Sequence, residues 1–137
     1  MTPDPQREAE LSLAAFLLED RRDRFLQLLA SKVGRQKLRA RLAHFPDLDP
    51  SVCVPIRSSD QSATAIAALL RSAGANLTCF VVAERSVLDG RSMPLTDALD
   101  AVVGRGSGAL ISCVPGRLGY YEGEDPGTRW LLKANAT

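Results

Sequence analysis

Three sets of residues in this chain have the types and spacing to do chemistry. The first is Arg57, Ser58, Ser59 and Asp60, followed by Glu84 and Asp89 and then by Arg117. A guanidinium beside hydroxyls at the start of a helix makes an anion pocket, because the first amides of the helix lack partners and the dipole end is positive. Glu84, Asp89 and Glu122 are the carboxylates best placed for proton transfer or for holding a hard metal ion through oxygen, although nothing in their spacing demands either role. Helix capping and solvated loop polarity explain the same residues without a ligand.

The second set is Lys32, Arg35 and Arg39, which fall on one face at helical spacing and would suit phosphate contacts. Apolar Leu38, Leu42 and Phe45 lie between these cations and Lys37 and Arg41. A core-facing stripe flanked by cations whose heads reach water accounts for that pattern equally well. No interleaved aromatics support base stacking.

The third set is Cys113 and His44. A catalytic thiolate needs a base or a positive neighbour, so these two would have to meet in space. His44 is the only histidine, which leaves no usual zinc site. Gly104-Arg-Gly-Ser-Gly108 contains G-x-G-x-G, but it follows a helix and opens a strand. A phosphate-cradling loop has the reverse polarity, so this one reads as a helix stop, and no cofactor is expected.

The elements that must position these residues follow from pattern. Residues 7–19 read as a helix and 20–31 continue the periodicity. A bend falls at 31–34, where Gly34 weakens the helix, and a third helix runs to about His44. Two prolines and two aspartates make 45–51 a linker. Val52–Ile56 reads as a strand at a sheet edge, because Pro55 lacks an amide donor. Asp60 or Ser59 caps a helix through about Ser72, with Gly74 as its stop. Residues 77–83 are a nearly continuous apolar run, as in a strand buried on both faces. After a polar loop at 84–92, Pro94 opens a short helix over Leu95–Val102. Three more strands follow at 108–114, 118–122 and 129–133. Tyr120 and Tyr121 must point to opposite faces, one into the core and one outward.

This order predicts an α/β fold, with α+β as the variant. It would have two or three layers around a mixed five-stranded sheet, with parallel βαβ units, a C-terminal antiparallel meander and an N-terminal helical segment. Residues 1–137 form one domain, with helical 1–45 packed on 52–137. Ligands in such sheets bind beyond the carboxyl ends of parallel strands, so the loops carrying Arg57, Glu84 and Arg117 are expected to converge.

The totals narrow the function classes. The chain has 137 residues, 45% hydrophobic and 24% charged, with net charge +1, which is the composition of an ordinary globular domain. No apolar run approaches the ~20 residues of a membrane span, and the acidic, proline-punctuated start is unlike a signal peptide. Three cysteines without a C-x-x-C pair fit free thiols in the cytoplasm. The near-zero charge conceals a local +6 over residues 20–44 between acidic flanks, and 14 of the 17 basic residues are arginine. The expected function is a small cytoplasmic binding or protein-interaction module without catalysis, with a homodimer or another protein as its partner. The alternatives are nucleic-acid or nucleotide-phosphate binding through 20–44, or a small enzyme at the strand ends.

Overall fold

The computed structural model describes residues 4–125 and 128–134. Three helices come first: α1 (Pro5–Ser12), α2 (Arg22–Leu29) and α3 (Lys32–Arg41). Asp4 caps α1 by accepting from the Gln6 amide, and Ser31 caps α3 by accepting from the Gly34 amide. The break between α2 and α3 falls at Ala30 and Ser31, so Gly34 lies inside α3. A Cβ there would sit 2.5 Å from the Leu28 carbonyl oxygen. The glycine marks a close helix crossing, not a bend.

The sheet has six strands: β1 (Cys53–Pro55), β2 (Thr78–Ala83), β3 (Arg91–Pro94), β4 (Ala109–Val114), β5 (Leu118–Glu122) and β6 (Arg129–Lys133). Their spatial order is β1-β6-β5-β4-β2-β3, and every neighbouring pair is antiparallel. The fold is therefore α+β, and the expected five-stranded mixed sheet with parallel βαβ units is overturned. Two physical facts produce the difference. The polar segment Arg91–Pro94 pairs with β2 as an extra edge strand, which reverses the chain before α5 (Leu95–Val102), so β4 returns antiparallel to β2. α4 (Ala63–Ser72) does connect two strands of like direction, β1 and β2, but β6, β5 and β4 stand between them. Ser62, not Ser59 or Asp60, caps α4, accepting from the Ala65 amide at 3.1 Å.

Strand alternation divides the core in two. Cys79, Val81, Ala83, Ile111, Tyr120 and Leu131 face α4 and α5. Phe80, Val82, Leu110, Tyr121 and Leu132 face the N-terminal helices, where Phe16, Phe25, Leu38 and Leu42 complete the packing. Full burial of each large apolar side chain contributes roughly 1.5–3 kcal/mol. Because helices cover both faces, both tyrosines are interior, at 0% and 2% exposure; neither is the outward residue that alternation alone suggests.

Tyr121 also closes the N-terminal layer. Its hydroxyl donates to the Leu42 carbonyl at 2.6 Å and accepts from the Phe45 amide at 3.2 Å. Both backbone groups lie past the end of α3, where helical partners run out. Tyr121→Phe strands them in the interior, and a loss of roughly 1–3 kcal/mol is expected. Urea denaturation reads it as a lower midpoint at unchanged slope. An unaltered midpoint would show that these groups find other partners.

Candidate functional site

One end of the sheet gathers the residues after β1, β2 and β5 with those before β4 and β6. Arg57, Ser58 and Ser59 are exposed there, in and just before a 3₁₀ turn that ends at Asp60. Glu84 is exposed at the same end, and its carboxylate accepts from the Gly108 amide at 3.5 Å. Three strands separate β1 from β2, a spacing of roughly 19 Å across the sheet. Arg117 belongs to the β4–β5 turn at the opposite end. It lines a separate cavity of about 440 Å³ with Lys133, Val114 and Leu118. The seven positions expected to converge do not share a pocket: β4 runs antiparallel to β2, which carries Arg117 to the far end, and three strands hold Arg57 apart from Glu84 and Asp89.

The carboxylates at this end are held by internal partners. Asp89 receives two bonds from the Arg35 guanidinium, from Nε at 2.7 Å and Nη2 at 3.1 Å, and one from the Ala83 amide at 3.0 Å. Arg35 Nη1 donates to buried Glu10 at 2.6 Å. The hydrogen bond to Asp89 is the main cause that raises the Arg35 pKa above its ordinary value, against the opposing effect of burial. Arg39 donates to the Ala83 and Glu84 carbonyls at 2.9 and 2.8 Å. Two of the three expected phosphate contacts thus have intramolecular partners, while Lys32 remains exposed. The sequence marked Arg35, Arg39 and Asp89 as polar groups with work to do, but carried no sign that they belong to one network.

Glu122 anchors a second network and is 0% exposed. It accepts from the Tyr120 hydroxyl at 2.9 Å and from the Gly104 amide at 3.1 and 3.2 Å. Arg129 Nε lies 3.3 Å from it, and Arg129 Nη1 donates to Gln61 at 2.9 Å. Burial first, then Glu122, pushes the Tyr120 hydroxyl well above the ordinary tyrosine range, which keeps it a neutral donor. The network ties the loop after α5 to the turn after β1 and has no opening to solvent at its carboxylate.

The thiols face inward. Burial raises the Cys53 pKa to about 11 and the Cys79 pKa to about 12, and pushes Cys113 higher still. His44 is exposed and pairs with Glu124 beside the N-terminal layer, whereas Cys113 lies under α4 and α5. The Cys113–His44 pair does not form. Among the described residues, no cluster of three or more His, Cys, Asp or Glu side chains is placed to hold a metal ion. No helix there is long and apolar enough to cross a membrane.

A concave feature formed by two helices lies on the outer face of the second helical layer. A groove of about 290 Å³ runs between α4 and α5. Ala63, Thr64, Ala67 and Ala68 line it from α4, and Thr96 and Asp100 from α5, with Arg71 on the α4 wall. A wider hollow beside Asp4, Arg7, Glu8, Leu11 and Ser12 is a surface along the single helix α1. The alanine-rich run was visible in the sequence, but which alanines face outward depends on how α4 sits on the sheet. Compared with known proteins, the chain matches no family model, no curated protein and no solved structure.

Proposed function

We propose that the chain is a non-catalytic protein-interaction module that pairs with a second copy of itself through the outer face of α4 and α5. The observation that carries this reading is the charge arrangement of the groove. Arg71 stands on one wall and Asp100 on the other, and among the described residues no ion pair joins them. A two-fold axis running along the groove sets α4 of one copy against α5 of the other. Each Arg71 then meets an Asp100 of the opposite copy, twice by symmetry. The small side chains between them let the helices approach closely.

The sheet edges favour the same reading. Pro55 on β1 and Pro94 on β3 remove amide donors from the outer strands, which disfavours edge-to-edge association. Phosphate binding through Lys32, Arg35 and Arg39 has less support, because Arg35 and Arg39 are engaged internally. The three free thiols support a cytoplasmic location.

α4 has 10 residues and α5 has 8, so the shared face is only about 15 Å long. That is small for a specific interface, and a dissociation constant on the order of 10 µM is expected. Sedimentation across that range should show a monomer–dimer equilibrium. Ala68→Arg should abolish it. Arg71→Asp should weaken it, and adding Asp100→Arg should restore it. A strict monomer at hundreds of micromolar, or no recovery in the charge-swapped pair, overturns the reading.

A further inference from the structure

Two of the three thiols lie on neighbouring central strands. The β2–β4 ladder ends at the Phe80/Ser112 pair, and the next residue on each strand beyond that end is a cysteine, Cys79 on β2 and Cys113 on β4. Both side chains belong to the core beneath α4 and α5, so both thiols are on the same face of the sheet. Cys53 packs in the other core, across the sheet. We infer that Cys79 and Cys113 are an oxidation site, joined by a cross-strand disulfide when the protein meets a peroxide.

The phase of the ladder supports closure. The Glu84 amide donates to the Gly108 carbonyl at 2.9 Å. Counting along the register, Val82/Leu110 and Phe80/Ser112 are then hydrogen-bonded pairs, and one more regular step of the ladder would put Cys79 and Cys113 at a non-hydrogen-bonded position. Side chains are closest at such positions, with Cβ atoms roughly 4.5–5.5 Å apart. A disulfide asks for about 3.5–4.5 Å, so the strands must approach by roughly an ångström. The ladder can yield at this point. No β2–β4 pair follows Phe80/Ser112, the Asn76 amide reaches the Cys113 carbonyl at a long 3.4 Å, and the β4–β5 register is irregular between Ser112 and Val114. Residual strain makes the bond easy to reduce, as in labile disulfides.

The reaction balances with hydrogen peroxide as oxidant. The Cys79 thiolate attacks one peroxide oxygen and the O–O bond breaks, giving a sulfenic acid and, after protonation, water. Cys113 sulfur then attacks Cys79 sulfur. The S–S bond forms, the S–O bond breaks, and the hydroxyl leaves as a second water with the Cys113 proton. Two thiols are oxidised and one peroxide is reduced. Cys79 attacks first because it is the less buried of the two, at 5% exposure against 1% for Cys113. Burial makes the step slow and dependent on opening at this end of β2.

The full chain is treated with hydrogen peroxide in native buffer. It is then alkylated in denaturant and digested with trypsin without reduction. Peptides 72–85 and 106–117, which carry Cys79 and Cys113, are expected as one linked species that dithiothreitol separates. Peptide 42–57, with Cys53, is expected outside that link. The Cys53→Ala protein should give the same linked pair. The inference is overturned if Cys79 and Cys113 are recovered alkylated or over-oxidised but unlinked. It is also overturned if either links to Cys53, or if the pair forms only when peroxide is added in denaturant.

Discussion

Replacing Arg35 with alanine is expected to remove about 3–5 kcal/mol of stability, the usual cost of breaking a buried ion pair from one side. The size follows from what is left behind. Glu10 and Asp89 side chains are only 7% and 9% exposed, and Arg35 supplies the short charge-assisted bonds to both. Arg7 lies 3.6 Å from Glu10 and Arg39 lies 3.6 Å from Asp89, too far for either to replace a bond of that strength. Two carboxylates would then be held near one another with their main counter-charge gone. They also belong to different elements, Glu10 to α1 and Asp89 to the β2–β3 loop, so separating them frees α1 from the sheet. For a chain of this length the loss corresponds to a melting temperature lower by roughly 10–20 °C. Arg35→Lys keeps the charge but not the planar fork, and should recover only part of the stability. Arg24→Ala, on the exposed side of α2, should stay within about 0.5 kcal/mol of the parent. A loss below about 1 kcal/mol in Arg35→Ala would show that the carboxylates rehydrate freely and that the network is not what holds α1.

The same network shows how far the sequence could be read. The residue types were visible as polar groups in a basic helix and a loop. Their pairing was not, since Glu10, Arg35 and Asp89 lie 25 and 54 positions apart and no local pattern links them. Strands β2, β4, β5 and β6 were legible because each is apolar on both faces or alternates cleanly. β3 was not, because an exposed edge strand with the sequence Arg-Ser-Met-Pro buries almost nothing and so lacks the periodicity that marks a strand. That strand removed one of the two expected parallel pairs, and the insertion of β6, β5 and β4 between β1 and β2 removed the other. Without β3 the chain has no reason to reverse before α5, and β4 is assigned the same direction as β2. The direction of β4 took Arg117 out of the candidate pocket, and the three strands between β1 and β2 kept Arg57 from Glu84 and Asp89. The packing face of α4 was legible, since Ile66, Ala67 and Leu70 recur at helical spacing and are the buried residues, but the groove was not, because it also needs α5 set alongside α4.

The second large effect falls on a glycine that resembles a turn residue. Gly108→Ala is expected to destabilise the protein at or beyond the top of the roughly 1–3 kcal/mol range for overpacking. A Cβ at this position would overlap the backbone of Leu42 and Ala43, with the Leu42 carbonyl oxygen 2.5 Å away. These are main-chain atoms at the end of the α3 segment, and a rotamer change cannot move them aside. The segment is pinned by the Tyr121 hydroxyl on the Leu42 carbonyl and by the Glu124 amide on the Ala43 carbonyl at 2.9 Å. Lifting it to admit a methyl group breaks both bonds and opens the N-terminal core around Leu42 and Phe45. Gly104, four residues earlier, is the internal control. Its φ is +82° and no atom lies within 4 Å of its would-be Cβ, so Gly104→Ala should cost only the backbone strain, about 1–2 kcal/mol. Urea titrations of the two variants therefore separate close approach from conformational freedom within one loop. Gly108 has no left-handed φ to add strain of its own, so a loss no larger than that of Gly104→Ala would mean that the α3 segment can shift off the start of β4.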